Sequence, residues 1–179
     1  MKNIILIAII ILTFFISCRK STLKITEPED SFFLDKMKAG NYTNGTNSFE
    51  VKNGGNTVNI NGKDYTFESD IMGIGGMYQD KTNSSNYVGV FPVGGSMLTV
   101  TMDKEQKEAV TKIIDVVGKE NSLKVVTEIL SKGNGGKLDA DSITQNLDDK
   151  KKAEVKKIIE ESGLNDKNKF KDYKEYKKT

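Results

Sequence analysis

The stretch TVNINGKDYTFE, residues 57–68, decides the fold. Apolar side chains alternate on both sides of Asn61-Gly62, with Val58 and Ile60 before it and Tyr65 and Phe67 after it. Alternation with a period of two is typical of a strand that buries one face. Asn-Gly between two such runs is a strong hairpin signal, because the turn requires positive φ at both residues. Residues 57–68 therefore predict an antiparallel hairpin.

Further short strands are predicted on both sides of this hairpin. Ser48–Lys52 alternates and is followed by the turn signal Asn53-Gly54-Gly55. Downstream, 87–93 and 97–102 form a second candidate pair, joined by Gly94-Gly95. We expect four or five strands over about 47–102, arranged as a meander with one polar face and one face that needs a cover.

Helices over about 103–162 are predicted to supply that cover. Asp103 and Gln106 have the spacing of a capping box. Three apolar stripes with helical spacing follow: Val110, Ile113, Ile114 and Val117; Leu123, Val126, Ile129 and Leu130; and Val155, Ile158 and Ile159. The predicted fold class is α+β, a short antiparallel β-meander packed against two or three C-terminal helices, in a domain spanning 40–163.

Two segments flank this domain. Residues 18–39 are predicted to be a tether, with a short helix over Asp30–Lys38. Phe32 and Phe33 either contact a membrane or pack on the domain, and we favour the second. The lysine-rich residues 164–179 are predicted to be a frayed helical extension or a disordered tail.

Composition excludes several chemistries. The chain has 179 residues, no histidine, one cysteine and a formal charge of +2. It therefore lacks the residues for Ser-His-Asp or Cys-His catalysis, for a Cys/His zinc site and for an intrachain disulfide. The low net charge is not typical of a nucleic-acid binder. We expect no catalytic residues, no metal site and no cofactor.

Two motifs that suggest ligands fail on inspection. Residues 73–76 (GIGG) are not followed by the Lys-Ser/Thr pair of a phosphate-binding loop. Asp139 and Asp141 begin like a calcium loop, but Thr144 stands where the glycine belongs and Lys150 where the bidentate glutamate belongs. Helix capping explains these carboxylates better.

The N-terminus has the pattern of a signal peptide. Lys2 precedes an apolar run from Ile4 to Ile16, and Ser17 and Cys18 follow. The run is shorter than the roughly 20 residues of a spanning helix. Residues 1–17 are therefore predicted to be a secretory signal peptide.

Phe15-Ile16-Ser17-Cys18 resembles a bacterial lipobox, the site at which signal peptidase II cuts before a cysteine. Phe15 occupies the position where leucine is usual. The lipobox is therefore similar to the looser ones of Borrelia-type spirochaetal outer surface lipoproteins, and the Lys- and Asn-rich composition resembles theirs. The resemblance implies lipidation of Cys18 by a diacylglycerol and a further acyl chain such as palmitate. Arg19, in place of an inner-membrane retention Asp, implies the outer membrane and the cell surface.

Lipidation would anchor the chain stably, because each buried CH₂ contributes roughly 0.8 kcal/mol and two or three acyl chains hold far more firmly than one.

A basic cluster is the other candidate site. Its members are Lys150, Lys151, Lys152, Lys156 and Lys157. It could bind a sulfated glycan or an anionic host protein. Alternatively it is a solvated helix face, whose lysines have acidic partners four residues away. We favour the solvated face.

The sequence thus predicts a lipid-anchored surface lipoprotein that binds host proteins or glycans without catalysis, in adhesion or immune evasion. A periplasm-facing structural or assembly lipoprotein is the first alternative. A carrier of a small apolar ligand is ranked last, because the strands look too few and too short for a full barrel.

Overall fold

Eight antiparallel strands form a closed barrel in the computed structural model, which describes residues 33–132, 137–165 and 173–179. Each strand pairs with the next one along the chain, and the last pairs with the first. The strands are β1 (Gly40–Thr43), β2 (Ser48–Lys52), β3 (Thr57–Ile60), β4 (Lys63–Ile71), β5 (Gly75–Asp80), β6 (Asn86–Val93), β7 (Ser96–Asp103) and β8 (Tyr173–Lys178).

The predicted meander on helices is therefore wrong. The hairpin of residues 57–68 and the pair formed by β6 and β7 are confirmed. Three strands were not predicted, because β1 is short and polar, β5 begins with two glycines and β8 lies in the lysine-rich segment. The expectation that the strands are too few for a barrel fails for the same reason. Closure leaves no unpaired sheet edge.

The interior of the barrel is filled by side chains. Along each strand, alternate residues point inward, as the pleat requires. Half of the buried members of this interior cluster are aromatic, and all are at most 9% exposed: Phe33, Met37, Tyr42, Phe49, Val51, Val58, Tyr65, Tyr78, Val88, Val90, Met97 and Tyr176. A small eight-stranded barrel has just enough room for such a side-chain core.

Four helices between β7 and β8 pack against the outside of the barrel. They are α1 (Lys104–Val117), α2 (Lys119–Lys132), α3 (Ala140–Thr144) and α4 (Asp149–Glu161). The Asp103–Gln106 capping box is confirmed at the start of α1. In α2 the buried side is Val125, Val126 and Ile129, so the predicted stripe is displaced. No helix in the described part of the chain is both long and apolar enough to cross a membrane.

The helices cover a second apolar core on the outer face of the sheet. From the strands this core takes residues such as Tyr87, Phe91, Leu98 and Val100. Ile71 joins it because a register shift between Phe67 and Ser69 reverses the side-chain direction along β4. The sheet is thus apolar on both faces where the helices lie, which explains the nearly continuous apolar run of β6.

The segment before β1 closes one end of the barrel, here called the proximal end, which carries the turns 53–56, 72–74 and 94–95. The Phe33 ring lies inside, 6.1 Å from the Phe67 ring and 6.3 Å from the Tyr78 ring between centroids. Phe33 N–H donates to Asp70 Oδ2 at 3.0 Å, and Lys36 Nζ donates to the Gly73 carbonyl at 2.7 Å.

The packing of Phe33 on the domain is thereby confirmed. In the described part of the predicted helix, Leu34–Lys36 forms a single helical turn of the 3-10 type. Asp30–Phe32 lies outside the described residues. The folded domain therefore extends beyond both predicted boundaries, to Phe33 at one side and to β8 at the other.

Candidate functional site

Three turns form the opposite, distal end of the barrel. They connect β1 to β2, β3 to β4 and β5 to β6, and together make up the distal loop surface, defined as residues 43–48, 60–63 and 80–86. These turns are rich in Asn, Ser, Thr and Gly, and nearly all of their residues are exposed or half-buried. Binding residues often lie on loops that a rigid scaffold holds in place.

Asparagine side chains fix the first two turns to each other. Asn44 Oδ1 accepts hydrogen bonds from the backbone N–H groups of Thr46 and Asn47 at 3.2 and 2.8 Å. Asn61 Nδ2 donates to Asn47 Oδ1 at 2.8 Å, and Asn61 Oδ1 accepts from Ser48 N–H at 2.8 Å. Such side-chain bonds to the backbone are the reason asparagine favours turns. They make the first two turns one connected unit.

Asp80 fixes the third turn to the second. Its side chain is 0% exposed, and its Oδ2 accepts from Lys63 Nζ at 2.9 Å. Its Oδ1 accepts from Thr82 N–H at 2.8 Å and from Thr82 Oγ1 at 2.7 Å. Burial alone would raise the pKa of Asp80, but the bonds from Lys63 and Thr82 outweigh it and hold that pKa well below its usual range. Asp80 is therefore a charged structural group.

Further hydrogen bonds hold the third turn to its flanking strands and to β4. Gln79 Nε2 donates to the Ser84 carbonyl at 3.0 Å and to the Tyr87 hydroxyl at 2.9 Å. Lys81 N–H donates to the Asp64 carbonyl at 3.1 Å, which ties this turn to the start of β4. The distal loop surface is accordingly a pre-organised polar surface whose lysines 63 and 81 both face carboxylates.

We expect Asp80→Asn to lower the free energy of unfolding at pH 7 by about 1–2 kcal/mol, because a buried charge-assisted network loses its charge. A carboxylate with a depressed pKa stabilises the fold above the unfolded-state pKa of about 3.9 and loses that contribution as the pH falls toward its folded value. The difference between wild type and variant should therefore be largest near neutrality and shrink below about pH 4. Urea denaturation at pH 7 and pH 3 measures it.

Glu161→Gln is the matched control for this prediction. Glu161 also pairs with a lysine, Lys157, at 3.7 Å, but both side chains are well exposed. Exposed ion pairs contribute little, so this variant should match wild type at both pH values. A gap between Asp80→Asn and wild type that stays constant from pH 7 to pH 3 would contradict the assigned role of the Asp80 charge.

The basic cluster predicted from the sequence lies on α4, away from the distal loop surface. Lys150, Lys151, Lys156 and Lys157 are exposed and Lys152 is half-buried. Of the predicted partners, Glu161 does pair with Lys157, whereas Lys152 lies 3.9 Å from Asp149. The Asp148 carboxylate instead caps α4 by accepting from Lys151 N–H at 2.9 Å, and Asp139 caps α3. The predicted capping role is confirmed for Asp139, whereas Asp141 lies in the first turn of α3 and donates its backbone N–H to the Asp139 carboxylate at 3.0 Å.

The predicted lipidation site, Cys18, and the signal-peptidase residues Phe15, Ile16 and Ser17 lie outside the described residues. Sequence reasoning did not identify the distal loop surface as a site. The only signal for it is the clustering of Asn, Ser and Thr in three turns, which by itself indicates no more than exposed loops.

Fold and site together define a class of architecture: an up-and-down eight-stranded barrel with a helical insertion before its last strand and a polar, rigid loop surface at one end. Comparison of the chain with protein-family models, with curated proteins and with solved structures gave no match.

Proposed function

We propose that this chain is a lipid-anchored envelope protein that displays its barrel as a non-enzymatic binding module, with the distal loop surface as the contact for a protein partner at the host interface. The observation that carries the proposal is the opposite placement of tether and loops. The chain enters the barrel at the proximal end through Phe33, whereas the connected polar turns lie at the distal end.

This arrangement suits display away from a membrane. Residues 19–32 separate the predicted lipid at Cys18 from Phe33, and a chain of that length reaches at most about 50 Å when extended. A partner approaching from outside would meet the turns first. Their side chains are fixed before contact, so binding would cost little ordering entropy. Asn, Ser and Gly are also the residues that antibody loops use for adaptable polar contacts.

The other readings of the sequence gain less support. A carrier of a small apolar ligand needs internal space, but the interior cluster is packed against itself. A sulfated glycan would favour the α4 lysines over the distal loops, since Lys63 and Lys81 already face Asp80 and Asp64. A periplasm-facing protein would use the same tether. It differs from a surface-exposed one only in the side of the outer membrane on which the domain lies.

Capture experiments with the mature lipidated protein test the proposal. We expect a serum or matrix protein to be retained by wild type and lost with Thr46→Lys and Ser84→Lys. Both residues are exposed and contribute to the loop structure through their backbones. Mass spectrometry of the retained proteins identifies the partner, and protease treatment of intact cells reports whether the domain is outside.

Lys150→Gln/Lys151→Gln/Lys156→Gln/Lys157→Gln is the comparison variant, because it changes an exposed surface on α4 and leaves the loops intact. It should retain the partner. Loss of binding in this variant together with retention in the loop variants would move the site to α4 and favour an anionic ligand. Retention of the same proteins by all variants would refute a distal contact.

A further inference from the structure

Met72 differs from the other turn residues of this barrel in being a large apolar side chain that is exposed and has a left-handed backbone conformation. It lies in the turn from β4 to β5 at the proximal end and is the exposed large hydrophobic side chain of the described residues, at 37%. Its backbone has φ +54°, in the left-handed region. The other described residues with positive φ are asparagines and glycines, which adopt this region at little cost, whereas a bulky side chain there is an outlier. Folding alone would favour Gly or Asn at this position.

Lysines surround the same end of the barrel. Lys38 is exposed and lies in the segment that leads from the Leu34–Lys36 turn into β1. Lys177 and Lys178 are exposed at the end of β8. Lys178 lies against Gly40 at the start of β1, and Lys177 pairs in register with Ser96 beside the turn 94–95 and, on its other side, with Thr43 at the end of β1. The Asp70 carboxylate at this end is already bonded to the N–H groups of Phe33 and Gly73. The exposed carboxylates nearby are Asp35, in the Leu34–Lys36 turn, and Glu175, which accepts a hydrogen bond from Ser96 Oγ at 3.0 Å. The proximal end therefore combines one exposed apolar tip with three exposed lysines and two exposed carboxylates.

The position of the predicted lipid in the chain indicates what the proximal end faces. The described structure begins at Phe33 inside the proximal end, and residues 19–32 connect it to Cys18. A lipid on Cys18 would thus tether the barrel to the bilayer at its proximal end, where Phe33 enters. Apolar tips with neighbouring lysines bind the interface of anionic membranes through combined burial and charge attraction.

We propose that the proximal end, through Met72, Lys38, Lys177 and Lys178, rests on an anionic lipid surface and orients the barrel upright on the membrane. This inference rests on the proposed lipid anchor. It deepens that proposal by assigning an orientation, in which the distal loop surface points away from the bilayer.

Single-tryptophan variants test the orientation, because the chain has no tryptophan of its own. Met72→Trp and Ala39→Trp place the indole at two exposed proximal positions, and Ser84→Trp places it at the distal end. The lipidated protein is reconstituted on vesicles of phosphatidylcholine and phosphatidylglycerol, with and without brominated acyl chains. We expect blue-shifted emission and several-fold stronger quenching for Met72→Trp than for Ser84→Trp, with Ala39→Trp between them.

Further variants test the charge component and guard against misfolding. Lys38→Gln/Lys177→Gln/Lys178→Gln in the Met72→Trp background should reduce the quenching, and added salt should do the same. Circular dichroism checks each fold, and Ala39→Trp replaces Met72→Trp as the reporter if the latter does not fold.

Flotation with vesicles of phosphatidylcholine alone separates the two proposals, because the lysines gain no charge attraction there whereas acyl chains still insert. If wild type and Cys18→Ala float equally or neither floats, the lipid anchor is wrong. If wild type floats but the proximal and distal indoles are quenched alike, the anchor stands and the orientation is overturned. Stronger quenching at Ser84→Trp would reverse the orientation and contradict the display of the distal loops.

Discussion

Deletion of residues 173–179 is expected to abolish cooperative folding. These residues form β8, which pairs with β7 over Ser96–Val100 and with β1 at Tyr42 and Thr43. Tyr176 is 0% exposed and its ring lies 5.4 Å from the Phe49 ring. Losing a buried aromatic side chain alone costs about 3–5 kcal/mol, and the deletion also opens two hydrogen-bonded edges. A domain of this size has only about 5–15 kcal/mol of stability in total.

Thermal unfolding followed by circular dichroism measures this effect, with Lys177→Ala/Lys178→Ala as the matched control. The control removes two exposed lysines from the same strand and keeps its backbone and Tyr176, so it should unfold close to the wild-type temperature. The sequence alone predicts a disordered or frayed tail, for which the deletion would be harmless. A truncated chain that unfolds cooperatively at the wild-type temperature would restore that view.

Phe33→Ala is expected to lower the free energy of unfolding by about 3–5 kcal/mol, because it leaves a cavity among Phe67, Tyr78 and the proximal turns. The site is built for this ring, since a Cβ on Gly76 would overlap it. Tyr78 donates its hydroxyl to the Gly55 carbonyl at 2.6 Å beside it. Burial and the nearby Asp70 raise the pKa of Tyr78, so the phenol remains a hydrogen-bond donor at neutral pH.

Urea denaturation of a double-mutant cycle tests the fit of ring and glycine. Gly76→Ala should destabilise wild type by about 1–3 kcal/mol through overlap with the ring and should be nearly neutral in the Phe33→Ala background. Leu34→Ala, in the same turn but half-buried, is the control and should cost clearly less than Phe33→Ala. Additive effects of the first two changes would show that the ring and Gly76 do not share one space.

The elements predicted from the sequence differ most from the observed ones where a strand is attached to the core through a single buried side chain. In β8 only Tyr176 points into the interior cluster, and lysines occupy most of the remaining positions. A segment with one buried side chain has no periodic apolar pattern to detect. The glycines at the start of β5 likewise read as a loop, although Gly76 makes room for Phe33 and Gly75 lies against Phe91.

The sequence predicts the polar composition of the candidate site but not that its three turns lie next to each other. The sequence indicates that residues 43–48, 60–63 and 80–86 are polar turns, and it identifies the Asn61-Gly62 hairpin. It does not indicate that Asn47 meets Asn61 or that Lys63 meets Asp80, because these pairs join different hairpins. Contacts between hairpins follow from strand register and barrel closure, which local sequence patterns do not encode.

The sequence by itself determined the local elements: the hairpin of residues 57–68, the pair β6 and β7, the Asp103 capping box and the helices α1 and α4. Each depends on neighbours within a few residues, where turn chemistry and side-chain periodicity act directly. Only the tertiary structure decided that the sheet closes, that Phe33 fills its proximal end and that three distant turns share one surface. Those features depend on contacts between residues far apart in the chain, such as β8 with β1, whose free energy exists only once the whole barrel has formed.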